Sequence, residues 1–235
     1  MSASEFRNAA SRGVFPFELK VFGRSVDGIP LRYLPSRKEP RLLVFAAIHG
    51  EEPETTFLLS RALRMLWEVP LHVACVLALN PDGVLRGTRG NSHGVDLNRN
   101  FPTADWKTGK TLSRSVLEAP RVTELSTGKF PASEPEVRAL MDLIRQLEVS
   151  KALALHSPLG WIDADERSRL CVELERVFGL PWKCGAGYAT PGSFGTFAAE
   201  QKMDCVTVEL PREAPEVLSI RYAEPLARFL RDFEG

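Results

Sequence analysis

Arg41-Leu-Leu-Val-Phe-Ala-Ala-Ile-His49-Gly-Glu-Glu52-Pro53 is an apolar run that ends abruptly in ionisable residues and a proline. Its apolar residues are continuous rather than alternating, which predicts a strand over 41–48 buried on both faces. Pro53 is acceptable in a helix's first turn, and Thr56, Phe57, Leu59, Leu63 and Leu66 continue at roughly helical spacing. The stretch therefore reads as strand, turn, helix, with His49 and Glu52 at the turn.

The same alternation continues on both sides of it. Glu18 to Phe22 and Pro30 to Leu34 read as an edge hairpin turning at Asp27-Gly28, and Leu71 to Leu79 as a strand closed by the turn Asn80-Pro81-Asp82-Gly83. Residues 103–132 are polar and aperiodic, either a plain surface loop or an excursion that walls or covers a site. Ser133-Glu-Pro-Glu136 has the spacing of a capping box and opens a helix to Leu147. Ala152 to Leu155 is a short buried strand ending at His156, Arg167 to Phe178 a helix, Val206 to Leu210 a strand, and Val217 to Phe233 a closing helix. Strands alternating with helices predict an α/β three-layer sandwich, a central mixed, largely parallel twisted sheet, over one domain spanning 1–235. Sites in such sheets lie beyond the carboxyl ends of the strands.

Composition narrows the partners. The chain has 235 residues, 44% hydrophobic, and its 30 basic and 30 acidic side chains cancel, leaving no electrostatic footprint for nucleic acid or an anionic membrane surface. No apolar run approaches the roughly 20 residues that span a bilayer. The N-terminus lacks the apolar core of a secretory signal, which predicts a cytoplasmic protein. Cys75, Cys171, Cys184 and Cys205 show no metal-site or disulfide-framework spacing and read as reduced thiols. A small-molecule or peptide substrate is expected.

Two of the four histidines, His49 and His156, fall just past strand ends on one sheet edge, whereas His72 and His93 read as structural. His49 and Glu52, three apart at a turn, are able to converge on one cation while His156 arrives from another strand. A hydrolytic zinc takes three N or O ligands and keeps a position open, which this set supplies. Glu209 sits on an apolar strand, as a working carboxylate or as a buried partner of an arginine.

Arg89-Gly-Asn-Ser-His-Gly-Val-Asp-Leu-Asn-Arg-Asn-Phe-Pro102, Thr190-Pro-Gly-Ser-Phe-Gly195 and Val206-Thr-Val-Glu-Leu210 resemble the zinc carboxypeptidases, and the resemblance runs from about Phe22 to about Leu210. It implies that fold, one zinc per chain on His49, Glu52 and His156, and Glu209 as general base and then acid. It implies that Asn98 and Arg99 clamp the substrate's terminal carboxylate, a role suited to an amide donor beside a bidentate guanidinium. Tyr188 is implied as the mobile substrate-binding tyrosine. For the arginine that polarises the scissile carbonyl, Arg86 and Arg89 are both candidates, with Arg89 preferred. By the same analogy the pocket floor lies near Phe194 and carries no acid.

Gly94 to Pro102, Ser133 to Glu136, His156-Ser-Pro-Leu159 and Gly187 to Gly195 resemble a short cytoplasmic bacterial branch of that family. This implies cleavage of the γ-D-glutamyl–meso-diaminopimelate amide of the murein tripeptide L-Ala-γ-D-Glu-meso-diaminopimelate, and a homodimer. The sequence singles out no residue for the distal end of diaminopimelate. An aspartoacylase-like deacylase of N-acyl amino acids shares the zinc set and the Asp-Leu-Asn-Arg stretch. Ser133 to Glu136 and Pro191 to Gly195 favour the peptidase over it, and the complete ligand set with Glu209 counts against a non-catalytic binder.

Overall fold

The computed structural model describes residues 5–114, 122–185 and 189–235, with backbone only at 113, 114 and 122. β1 (Lys20–Arg24) and β2 (Pro30–Leu34) pair antiparallel around Gly28, whose φ of 81° suits a residue without a Cβ. β3 (Leu42–Ala46) is buried throughout, and α1 (Pro53–Met65) buries Leu58, Leu59, Ala62 and Leu63 against it while Phe57 stays exposed. β4 (Val73–Val76) is shorter than its apolar run. The turn expected at Asn80-Pro81-Asp82-Gly83 is the start of α2 (Pro81–Arg86). Asn80 Oδ1 accepts the Gly83 N–H at 2.9 Å and Pro81 presets the first helical φ, so turn chemistry becomes a helix cap.

Residues 103–132 are more than a loop, since β5 (Lys110–Arg114) and β6 (Val122–Ser126) form an antiparallel ribbon tied to the main body by a bridge between Val95 and Ser126. α3 (Pro135–Leu147) has the expected bounds but no capping box. Glu134 is its N-cap without a side-chain cap, and Asn91 Nδ2 donates to both Glu134 (2.8 Å) and Glu136 (3.1 Å). Then come β7 (Lys151–His156), β8 (Leu159–Asp163), α4 (Arg169–Phe178), β9 (Trp182–Lys183), α5 (Phe194–Glu200), β10 (Asp204–Pro211) and α6 (Pro215–Asp232).

Among the described residues eight strands form one sheet in the order β1-β2-β4-β3-β7-β10-β8-β9. The centre, β4-β3-β7-β10, is parallel; β1-β2, β2-β4 and β10-β8 are antiparallel, and β9 adds parallel to β8 at the far edge. Alternating residues of the central strands feed two cores. Leu42, Val44, Leu153, Leu155, Val206 and Val208 pack under α1, α4 and α6, while Leu43, Phe45, Ala152 and Ala154 meet α3 and α5. A layer of helices thus covers each face. By the two-residue period of a strand, His156 and Glu209 project toward the α3 and α5 side, where β7 and β10 end together.

Candidate active site

The turn after β3 is fixed by backbone contacts before any ligand chemistry is considered. Ala47 adopts φ 50°, a conformation costing a non-glycine residue roughly 1–2 kcal/mol. Thr55 holds it there, because its buried Oγ1 accepts the Ala47 N–H at 3.1 Å and donates to the Glu52 carbonyl at 2.7 Å. Gly50 lies so close to α2 that a Cβ would come within 2.0 Å of the Gly83 carbonyl carbon, and its N–H reaches the Arg89 carbonyl at 3.3 Å. Only glycine permits that approach. The turn therefore presents His49 and Glu52 rigidly over the sheet's edge.

His49, Glu52 and His156 are all buried, and one ligand atom from each lies within 4.8 Å of the others. Glu52 stands between the rings, Oε1 at 2.8 Å from His49 Nδ1 and Oε2 at 3.1 Å from His156 Nδ1. Two imidazole nitrogens and a carboxylate converging at this range fit a divalent metal's donor set. On its other side, His49 Nε2 meets Asp96 Oδ1 at 3.2 Å, the carboxylate partner that fixes a metal-binding imidazole's tautomer and orientation. Asp96 also accepts Arg89 Nε at 3.0 Å and the Asn98 N–H at 2.9 Å. Its place two residues before Asn98, in the stretch quoted for the clamp, was the available signal.

Charge in this cluster is self-consistent. Burial presses the Glu52 and Asp96 carboxyls upward, but His49 and His156 outweigh it at Glu52, and Arg89 followed by His49 outweigh it at Asp96, holding both well below the usual carboxylate range. Burial and Arg89 push His49 down, and Glu52 and Asp96 overcome them, leaving it raised. For Glu209 burial wins and its carboxyl is pushed up, with His156 opposing. Glu209 pairs in parallel register with His156, and its Oε2 is buried without a hydrogen-bond partner among the described residues. An unpartnered buried carboxylate oxygen is costly, and such groups concentrate where chemistry needs them.

The other predicted residues are placed as follows. Arg89 Nη1 lies 3.6 Å from Glu52 and 3.3 Å from Glu51, whereas Arg86 pairs with Asp27 at 2.6 Å. Asn98 Oδ1 accepts the Phe194 N–H at 2.8 Å, so its amide donor remains for a substrate. Arg99 is buried, with its Nη1 on the Asn98 carbonyl at 2.6 Å and its own carbonyl on Trp106 Nε1 at 3.0 Å. Tyr188 lies outside the described residues. Phe194, near which the pocket floor was expected, is a buried core residue, its ring 4.7 Å from Phe45 and 5.3 Å from Phe101.

A metal-type triad and a buried carboxylate at the carboxyl edge of a mainly parallel sheet are the working parts of a metallocarboxypeptidase-like hydrolase. Carboxypeptidase A from Helicoverpa armigera shares that fold, with a TM-score of 0.66 at 20% identity over 89% of this chain and 66% of that one. Residues 38–229 match the family model for the succinylglutamate desuccinylase/aspartoacylase catalytic domain. Murein peptide amidase A of Escherichia coli is 40% identical over 229 residues, 96% of this chain and 94% of that protein. The crystal structure of a murein-tripeptide amidase from Escherichia coli O157 superposes with a TM-score of 0.93 at 38% identity, over 99% of this chain and 100% of that one. The chain belongs to the murein peptide amidase A family, and residues 38–229 place it in the succinylglutamate desuccinylase/aspartoacylase catalytic-domain family as well.

Proposed function

We propose that the chain, acting as one catalytic domain over 1–235, is a zinc-dependent amidase. It cleaves the γ-D-glutamyl–meso-diaminopimelate bond of the tripeptide L-Ala-γ-D-Glu-meso-diaminopimelate during peptidoglycan recycling in the cytoplasm. The observation that carries the reading is the convergence of His49, Glu52 and His156 near Glu209, whose buried Oε2 has no hydrogen-bond partner among the described residues. Near-full-length likeness to murein peptide amidase A supports the substrate. Among the described residues no helix is long and apolar enough to cross a membrane.

His49, Glu52 and His156 are the residues to hold zinc, which when bound polarises a scissile carbonyl and makes an attacking water more acidic. Asn98 and Arg99 hold the free carboxylate of diaminopimelate beside the scissile amide, and fixing that group fixes the bond. Arg89 Nε and Nη1 are engaged by Asp96, Glu51 and Glu52, which leaves Nη2 to steady the developing oxyanion. Glu209, whose carboxyl burial pushes up from the ordinary carboxylate value, takes the water's proton and returns it to the departing amine. Tyr188 is the remaining residue assigned to substrate binding.

The family model favours a second reading, an aspartoacylase-like deacylase of small N-acyl amino acids. One experiment separates the two. Purified, metal-quantified protein is incubated with the tripeptide, the tetrapeptide extended by D-alanine, and an N-acyl amino acid panel, with products read by mass spectrometry. Diaminopimelate released from the tripeptide and not the tetrapeptide, abolished by a chelator, is the expected result. An intact tripeptide with zinc bound overturns the amidase reading, and cleavage of the acyl panel installs the deacylase. Light scattering on the same preparation tests the expected homodimer.

A further inference from the structure

Of the buried side-chain atoms that lack a hydrogen-bond partner among the described residues, Glu209 Oε2 and Trp161 Nε1 belong to residues that stand directly opposite each other. Trp161 of β8 is the antiparallel register partner of Glu209 on β10. Residues paired in this way project from the same face of a sheet, with Cβ atoms roughly 4.5–5.5 Å apart. The two orphans are complementary, since an ionised carboxylate only accepts and an indole nitrogen only donates. By contrast, Trp106 Nε1 donates to the Arg99 carbonyl and Trp182 Nε1 to the Ala164 carbonyl, each at 3.0 Å.

The Trp161 ring is held from its outer side. Lys183 of β9 pairs with Asp163, two residues beyond Trp161 on the same face of β8. Its ammonium stands 3.8 Å from the centroid of the Trp161 ring, close enough for the ring's negative face to attract it. On the other side of β10, His156 is the register partner of Glu209. One row across the sheet therefore runs from a metal-type ligand through Glu209 to an indole backed by a cation. β8 also approaches the carboxylate through its backbone, since a hydrogen bond from the Leu159 N–H favours the charged form of Glu209. The terminal torsions of both side chains, χ2 of Trp161 and χ3 of Glu209, lie in broad wells, so turning donor toward acceptor costs little. That contact satisfies two buried groups at once, whereas keeping them apart leaves the desolvation of both uncompensated.

We infer that Trp161 is the positioning residue for Glu209, its indole N–H donating to Oε2 in the working enzyme. A carboxylate offers about four acceptor positions, so a donor on Oε2 stops the group from rotating and leaves the others for the attacking water. This role rests on the proposed one of Glu209 as general base and adds what orients it.

Two measurements on the metal-loaded protein test it. The first needs no substrate: the indole N–H signal of Trp161, assigned through its own backbone in isotope-labelled protein, is compared between wild type and Glu209→Ala by nuclear magnetic resonance. Loss of the hydrogen bond should move that signal upfield while those of Trp106 and Trp182 stay in place. A Trp161 signal that does not move overturns the inference, and this reading stands even where Trp161→Phe fails to fold. The second is a double-mutant cycle on tripeptide turnover. Trp161→Phe keeps a ring beneath Lys183 and removes the N–H, and kcat is expected to fall about 10- to 100-fold with KM and metal content unchanged. In the Glu209→Ala background the same substitution should have no further effect, because nothing remains to be positioned. An equal loss in both backgrounds is what a packing role alone would give, and it overturns the inference. If the tripeptide stays intact, a displaced indole signal still upholds the contact and only the amidase reading falls.

Discussion

At the scale of single residues, the proposed ligand, base and orienting roles separate by what each substitution removes. Glu209→Gln keeps the shape of the site and is expected to lower kcat by about 10²–10⁴-fold with metal content unchanged. His49→Ala is expected to lose the metal. Asp96→Asn cannot hold the His49 Nε2 proton as a carboxylate does, so metal affinity should fall by about 10–100-fold, measured by competition with a chromophoric chelator. Unchanged affinity would make Asp96 a support for Arg89 alone. His49, Glu52, His156 and Glu209 were legible because each terminates or interrupts an apolar run, where an ionisable residue has few structural reasons to sit. Asp96 was legible only as a member of the stretch that carries Asn98 and Arg99, since nothing in local spacing says that its partner lies 47 positions upstream.

At the scale of elements, the turn between β3 and α1 is where backbone geometry becomes chemistry. Thr55→Val leaves the buried Ala47 N–H without its acceptor and should destabilise the protein by about 1–3 kcal/mol in denaturant titration. Thr55→Ser keeps the hydroxyl and should restore most of that loss together with metal affinity. The strand-turn-helix pattern around this turn could be read from periodicity, and α3 matches its predicted bounds. Two signals misled for one reason. Asn80-Pro81-Asp82-Gly83 and Ser133-Glu-Pro-Glu136 carry residues that serve both turns and helix starts, and tertiary contacts decide between them. Asn80 spends its Nδ2 on the Ile48 and Arg89 carbonyls, and Glu134 and Glu136 spend their carboxylates on Asn91. The ribbon of β5 and β6 left no signal because it is solvated and pairs mainly with itself.

At the scale of the whole molecule, metal and fold share one free energy. Metal at 100 times its dissociation constant adds about 2.7 kcal/mol, so chelation should lower Tm by roughly 5–10 °C in a chain of this size. Glu209 adds a pH dependence in the metal-free protein. Its folded carboxyl titrates above the ordinary value of 4.5, so it costs nothing below that value and draws stability away as pH rises toward the folded pKa. Metal-free Glu209→Gln should therefore melt higher than metal-free wild type at pH 7 and at the same temperature near pH 3.5. The layered sheet could be anticipated from alternating elements, whereas the order of its strands depended on long-range pairing. That order has a kinetic meaning. The ligand turn, His156 and Glu209 sit at the ends of β3, β7 and β10, three neighbours brought together from positions 49, 156 and 209. Such distant pairings are slow to close. A ribosome-bound chain cannot assemble the His49, Glu52 and His156 cluster before β7 has emerged, nor bring Glu209 beside it before β10 has docked, so the nascent protein is expected to stay chemically silent until its sheet is nearly whole.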